Sequence, residues 1–137
     1  MDHLSATARR DLMGRIRRQD TAPEIRVRRV LHRLGFRFRL HRRDLPGTPD
    51  ILLPRYKTAL FVHGCFWHRH PVCKRASHPA TNTERWNQKF ARNIERDRIV
   101  EHELSALGWR VAVIWECEAT NDEALSKRLL HLLKGNS

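Results

Sequence analysis

Three cysteines and a histidine have the types and spacing of a metal site. They are Cys65, His70, Cys73 and Cys117. Three thiolates and one imidazole form a complete tetrahedral set for structural zinc, with no open position for chemistry. The spacing is not that of a standard finger, so His68 or His78 could replace the histidine, and the last cysteine could instead be a buried thiol. We predict a structural zinc that ties a loop to the fold.

A second group of residues has the types that phosphodiester hydrolysis needs, namely carboxylates for a metal and a base for water. Asp50 opens a predicted strand, and His63 ends the next strand, with His68 close behind. Asp97 lies inside the apolar stripe of a predicted helix, about 20° from Trp86, where a carboxylate needs a cation, a metal or a donor. The alternatives are a solvated strand start for Asp50, an arginine ion pair for Asp97, and a helix-capping role for Glu24.

Two adjacent aromatic residues, Phe66 and Trp67, lie in the same predicted loop as the cysteines. Large rings in a loop are costly to expose unless they meet something apolar. They either cover the core beneath the zinc loop or contact an apolar partner.

The charge of the chain indicates a polyanionic partner. The 137 residues carry a formal net charge of +12, and residues 1–43 hold thirteen Arg against four acidic residues. Arginine suits phosphate because its planar fork donates two hydrogen bonds at once. Nucleic acid is the favoured partner, although a ribosomal or membrane surface would also fit the charge.

The periodicity predicts an α/β fold with the order α-β-β-β-α-β-α. Thr21 with Pro23 and Glu24 predicts a helix start, and Gly35 predicts the end of that helix. The strands are predicted at 36–40, 50–53, 59–62 and 109–115, the last one buried on both faces, with 65–80 as a loop. Helices are predicted at 84–107, with an apolar face that includes Ile94, and at 123–133.

The chain is predicted to have one domain, residues 21–137, preceded by a flexible basic arm over residues 1–20. There is no apolar run long enough for a membrane span and no secretory signal at the start of the sequence. We expect a cytoplasmic protein.

Several motifs together indicate a resemblance to one protein family. They are Asp20-Thr-Ala-Pro-Glu24, Leu34-Gly-Phe-Arg-Phe-Arg-Leu-His41, Asp44-Leu-Pro-Gly-Thr-Pro-Asp50, Phe61-Val-His-Gly-Cys-Phe-Trp-His68, Asn93-Ile-Glu-Arg-Asp97 and Trp115-Glu-Cys117. From about residue 13 to residue 118, the chain closely resembles the very-short-patch repair (Vsr) endonucleases.

The resemblance implies a restriction-endonuclease-like three-layer core, a mixed β-sheet flanked by helices, with a structural zinc at the four residues named above. It implies magnesium at Asp50 and at the main-chain carbonyl of Val62; the family pattern has Thr there, and a main-chain contact tolerates Val. His68 would be the general base. His63, Glu24 and Asp97 would support the site through waters.

The resemblance also implies how DNA is bound and cut. The implied DNA-binding residues are Met13, Phe66, Trp67, Trp86 and Asn93. The aromatic residues would enter the duplex beside a T:G mismatch, and the arm would reach in from the opposite groove. The enzyme, expected to be a monomer, would nick the strand on the 5′ side of the mispaired thymine. Expected companions are a cytosine-5 methyltransferase and mismatch-repair factors. There are two alternatives. One is a related nuclease that cuts matched sites in restriction, homing or defence systems, and the other is a non-catalytic zinc DNA-binding module.

Overall fold

The structure, a computed structural model, describes residues 21–134. Within this range the helices and strands follow the predicted order. They are α1 (Ala22–Arg33), β1 (Arg39–Leu40), β2 (Ile51–Leu53), β3 (Thr58–His63), α2 (Thr83–Ala106), β4 (Arg110–Trp115) and α3 (Asp122–Leu133). Short 3-10 helices, Pro54–Tyr56 and Glu116–Ala119, follow β2 and β4. The predicted arm, with Met13, lies outside the described residues.

The first helix begins as its sequence predicts. The Thr21 hydroxyl accepts a hydrogen bond from the Glu24 backbone N–H at 3.4 Å, and Pro23 occupies the first turn. Gly35 follows the last turn at φ +89°, a conformation that L side chains rarely adopt. The prediction of a capped helix with a glycine stop is confirmed.

The sheet has four strands in the order β1-β2-β3-β4 within the described chain. The first two pairings are antiparallel, and β3 pairs with β4 in parallel, with His63 opposite Trp115. The parallel pairing requires a crossover, which the loop after β3 and helix α2 provide. The carboxyl ends of β3 and β4 therefore meet at one edge of the sheet.

Helices cover both faces of the sheet, so the domain has three layers. Helices α1 and α3 pack on the face that carries Ile51, Leu60 and Ile114. Helix α2 packs on the face that carries Leu52 and Phe61. Alternate strand residues point to opposite faces, which is why both faces are apolar. No helix in residues 21–134 combines the length and apolar character of a membrane span.

Three details of the predicted elements are wrong. The first predicted strand, 36–40, is reduced to Arg39–Leu40 because Phe36 turns into the core and stacks edge-on against Tyr56 at 5.4 Å. Strand β4 is not buried on both faces; it pairs only with β3, and Ile114 alone in it is fully buried. Ile94 is 49% exposed because Asn93, and not Ile94, lies on the face of α2 that packs against the rest of the fold.

Candidate active site and metal centres

The candidate site lies at the edge of the sheet where β3 and β4 end and β2 begins. Asp50 immediately precedes β2, and its Oδ2 accepts a hydrogen bond of 2.8 Å from the Val62 backbone N–H. The antiparallel pairing of β2 with β3 places the start of one strand beside the end of the other. The prediction that Asp50 lies near the end of β3 is thus confirmed.

The carboxylate of Asp50 is one of three groups that could share a cation. One donor atom each from Glu24, His41 and Asp50 lies within 4.8 Å of the others. Burial is the main reason that the pKa of Asp50 rises to about 7, and the nearby Glu24 carboxylate raises it further. A carboxyl with this pKa is only partly ionised at neutral pH, and added positive charge would favour its ionised form.

Glu24 belongs to this cluster in addition to opening helix α1. Its side chain is 2% exposed, and its Oε2 contacts Nε2 of His41 at 2.9 Å and the guanidinium of Arg28. Capping alone therefore does not explain this residue. His41 was not predicted as a site residue. Its backbone N–H donates to the Asp50 carbonyl at 3.2 Å. A prediction that β1 pairs with β2 would therefore have placed His41 opposite Asp50.

Beside this cluster, His63, His68 and Asp97 form a second one. The rings of His63 and His68 stack with centroids 3.8 Å apart and planes 4° apart. Nδ1 of His68 lies 2.6 Å from Oδ2 of Asp97, so the ion-pair partner of Asp97 among the described residues is this histidine and not an arginine. Burial, assisted by the neighbouring His68, lowers the pKa of His63 to about 4. His63 is therefore neutral at physiological pH.

The predicted cysteine–histidine set also comes together. Ligand atoms of all four residues, Cys65, His70, Cys73 and Cys117, lie within 4.8 Å of one another. His70, and not His68 or His78, is the histidine of the cluster. Its ring stacks on Trp115 at 4.2 Å and its Nδ1 lies 3.4 Å from the Cys117 sulfur.

The chemistry of these four donors fits a metal. Burial raises the pKa of the Cys65 thiol to about 12, so this sulfur needs a cation to be a thiolate at neutral pH. The parallel register of β3 and β4 explains why Cys65 and Cys117 are close together. His63 lies opposite Trp115, and each cysteine comes two residues after its strand's member of this pair. The group can hold a soft divalent metal in a closed shell.

The aromatic residues form one cluster next to the histidines. Phe66 contacts Trp67, Trp86 and Phe90 edge-on, with centroids 5.2–5.5 Å apart. Phe90 is buried, while the other three rings are half-exposed. Asn93, on the same face of α2, donates to the Trp67 carbonyl at 3.1 Å and joins the loop to the helix. The rings therefore combine a packed base with an accessible outer surface.

Two clefts meet at this edge of the sheet. One of about 530 Å³ contains Asp50, His63, His68 and Asp97 together with the cationic side chains of Arg43 and Arg96. The other, about 1100 Å³, lies between the Phe66–Trp67 segment and helix α2. Its wall includes the basic residues Lys89, Arg92 and Arg96. The clefts bring carboxylates, imidazoles, aromatic rings and positive charge to one concave surface, as phosphodiester chemistry on a nucleic acid requires.

Several known proteins resemble this chain over most of its length. The sequence model of the family described as DNA mismatch endonuclease Vsr matches residues 1–75. The chain is 49% identical over 132 residues to a type II nicking enzyme of Xanthomonas oryzae pv. oryzae, covering 96% of each chain. It is 43% identical over 132 residues to the DNA mismatch endonuclease Vsr of Escherichia coli, covering 93% of this chain and 83% of that one. A type II nicking enzyme of Neisseria meningitidis is 40% identical over 133 residues, covering 97% and 94%. This chain belongs to the Vsr family and is a DNA endonuclease.

Proposed function

We propose that this endonuclease nicks double-stranded DNA on the 5′ side of the mispaired thymine in a T:G mismatch, with magnesium as its catalytic metal. The observation that carries the proposal is the aromatic cluster placed directly beside the His68–Asp97 pair and Asp50. One relative is named a DNA mismatch endonuclease. A site that only cut phosphodiesters would not need exposed rings at its mouth.

The residues around Asp50 fit magnesium. Carboxylate and carbonyl oxygens are its preferred ligands, and a bound cation would favour the ionised form of Asp50, whose pKa is raised to about 7. The Val62 N–H donates to Asp50, and the N–H and C=O of one strand residue face the same side, so the Val62 carbonyl faces this group too. Glu24 and His63 would act through bound waters. Magnesium bound here would polarise the phosphate and make a bound water more acidic.

The proton of the attacking water passes to His68 in this proposal. Asp97 accepts a hydrogen bond from Nδ1 of His68, which fixes the ring and leaves Nε2 as the basic nitrogen. The neutral ring of His63 stacks on His68 and restricts its movement without adding a second positive charge. The arrangement supplies an oriented base beside the metal-binding carboxylate.

Selection of the mismatch would rest on the aromatic cluster. Entry of rings between base pairs requires unstacking, which costs a few kcal/mol and is easier at a mispaired step. Phe66, Trp67 and Trp86 would enter the duplex, and Asn93 would contact the DNA from the adjoining turn of α2. We also propose that Met13 reaches in from the other groove.

The cysteine–histidine centre is proposed to hold zinc in a structural role. Its four ligands close the coordination shell, and it fixes the loop that carries Phe66, Trp67 and His68. We further propose that the three-layer core is restriction-endonuclease-like. Because thymine opposite guanine arises by deamination of 5-methylcytosine, the expected companions are a cytosine-5 methyltransferase and mismatch-repair factors. The protein acts as a monomer in this proposal.

A cleavage assay tests the proposal directly. Labelled duplexes that differ only in a T:G or a T:A pair are incubated with the enzyme and magnesium, with Asp50→Ala as the inactive control. We expect a single nick on the 5′ side of the mispaired thymine and much slower cutting of the T:A duplex. Equal cutting of both duplexes would instead indicate an enzyme that nicks matched sites.

A further inference from the structure

One arginine in the loop after β3 has contacts that neither catalysis nor metal binding uses. Arg69 lies between His68 and His70, with a half-buried side chain and a left-handed backbone (φ +53°). Its guanidinium donates to the carbonyls of Ala76 at 2.8 Å, Ser77 at 3.1 Å and Phe66 at 3.4 Å. These bonds join the two halves of the loop on either side of Cys73.

The same guanidinium also reaches helix α2. Its carbon lies 4.2 Å from the ring centroid of Phe90 and 5.6 Å from that of Phe66. Phe90 is 4% exposed and is the base on which Phe66 and Trp86 pack. Arg69 is therefore in contact with both the loop and the helix that carry the aromatic cluster.

The geometry of these contacts explains the residue type. The contacts of the Arg69 guanidinium among the described residues are with main-chain carbonyls, aromatic rings and the His78 ring, and none is an ion pair with a carboxylate. A planar fork can donate in its plane to several carbonyls while its faces contact rings, which a lysine ammonium cannot do. The four metal ligands restrain the loop backbone at their own positions, whereas Arg69 restrains the Phe66 segment against Phe90.

We propose that Arg69 is a positioning residue that determines mismatch specificity by fixing the aromatic cluster before DNA binds. The proposal rests on the proposed function, since it assigns the cluster to mismatch selection. A cluster that is already ordered loses less conformational freedom on entering the duplex. Without Arg69 the rings must be ordered as they enter the duplex. In the proposed function the rings enter at a mispaired step and not at a matched one, so this cost falls on the T:G complex and reduces the preference for T:G.

Three variants test the proposal. Arg69→Met keeps a long apolar stem, and Arg69→Lys keeps the charge, but neither has the fork. Lys74→Met is the matched control, since it removes one charge from an exposed side chain of the same loop. We expect about one zinc per chain in all three. Both Arg69 variants should have a weaker near-ultraviolet circular dichroism signal from the cluster, and a T:G to T:A ratio of kcat/KM smaller by on the order of 10-fold. Lys74→Met should keep the wild-type spectrum and ratio.

Several outcomes would overturn the proposal. A wild-type ratio and spectrum in Arg69→Lys would show that charge suffices, and an equal loss on both duplexes would show a general effect on folding or DNA affinity. Loss of zinc from both Arg69 variants would assign the residue to the metal centre. If the wild-type enzyme itself does not prefer T:G, the proposed function fails, and the specificity role of Arg69 fails with it. The spectrum then tests only whether Arg69 orders the aromatic cluster: a weakened signal in both variants supports that part, and an unchanged signal overturns it as well.

Discussion

Replacement of Asp50 with Asn should inactivate the enzyme and yet stabilise the magnesium-free fold at alkaline pH. Burial raises the pKa of this carboxyl from 3.8 to about 7. The folded state therefore binds the proton more tightly than the unfolded state does. The contribution of Asp50 to stability is fully present while its carboxyl is protonated, and it is lost as the pH rises from about 4 through about 7. Asn has nearly the same shape and does not ionise, so the variant should not lose stability in this range.

The size of the effect follows from the pKa difference. Each pH unit across that range costs roughly 1.4 kcal/mol of folding free energy, so the full difference reaches ~4 kcal/mol at most. Water entering the cleft and local relaxation reduce it, which makes about 2 kcal/mol a realistic expectation. For a domain of this size, this corresponds to a rise in Tm on the order of 10 °C.

Thermal unfolding at several pH values measures the difference. Zinc-loaded wild type and Asp50→Asn are compared at pH 8 and pH 4 without magnesium, and again at pH 8 with millimolar magnesium. The variant should have the higher Tm at pH 8, the two proteins should converge at pH 4, and magnesium should raise the Tm of the wild type alone. Equal Tm values at pH 8 without magnesium, or the same difference at pH 4, would refute the reasoning.

Four other substitutions test the remaining parts of the site. Cys117→Ser should lose zinc and several degrees of Tm together, because three ligands no longer close the shell; metal analysis and thermal unfolding decide, and a zinc-free wild type of full stability would contradict it. His68→Ala should slow nicking by ~10²–10⁴-fold without weakening DNA binding, and an unchanged single-turnover rate would exclude a general base. Trp67→Ala should lower the affinity for T:G duplex more than for T:A duplex, whereas Arg43→Ala should weaken both alike and reduce the salt dependence. An unchanged affinity ratio in Trp67→Ala would assign that ring to packing.

The parts of the fold that follow local rules could be predicted from the sequence. Helix α1 has its cap, its proline and its glycine stop in adjacent positions, so its bounds were predictable. The cysteine–histidine cluster was predictable because a full ligand set is a chemical pattern that does not depend on knowing the fold. What the sequence did not show was why Cys65 and Cys117 meet, which is the parallel register of β3 and β4.

The errors arose where tertiary packing overrides local pattern. Alternation over residues 36–40 is typical of a strand, but the Phe36 N–H still bonds to Leu31 at the end of α1 and its ring enters the core. An apolar run predicted a central strand for β4, but its place in the sheet decides its burial. Periodicity contains no information on which strand lies at an edge.

His41 and Arg69 were missed for a related reason. His41 precedes two arginines and Arg69 lies between two histidines, and each has a partner that is remote in sequence: Glu24 for His41, and Phe90 for Arg69. Against a net charge of +12, one more basic residue near a loop looks like part of a general phosphate-binding surface. Only the contacts separate a residue that holds the site together from one that attracts DNA.

The two proposed metal sites at this edge of the sheet differ in the chemistry of their ligands, and this difference would determine which metal each one binds. The set with Cys65 offers sulfur and one imidazole, which favour zinc, while the set with Asp50 offers mainly carboxylate oxygens, which favour magnesium. The stacked pair His63 and His68 lies with Asp97 in the cleft that also contains Asp50. Because Nδ1 of His68 is hydrogen-bonded to Asp97, Nε2 is the nitrogen that is available to accept a proton. In the proposed function, the base would therefore share a cleft with the magnesium-binding carboxylate, while a metal in the closed cysteine–histidine shell would have no open position for the reaction.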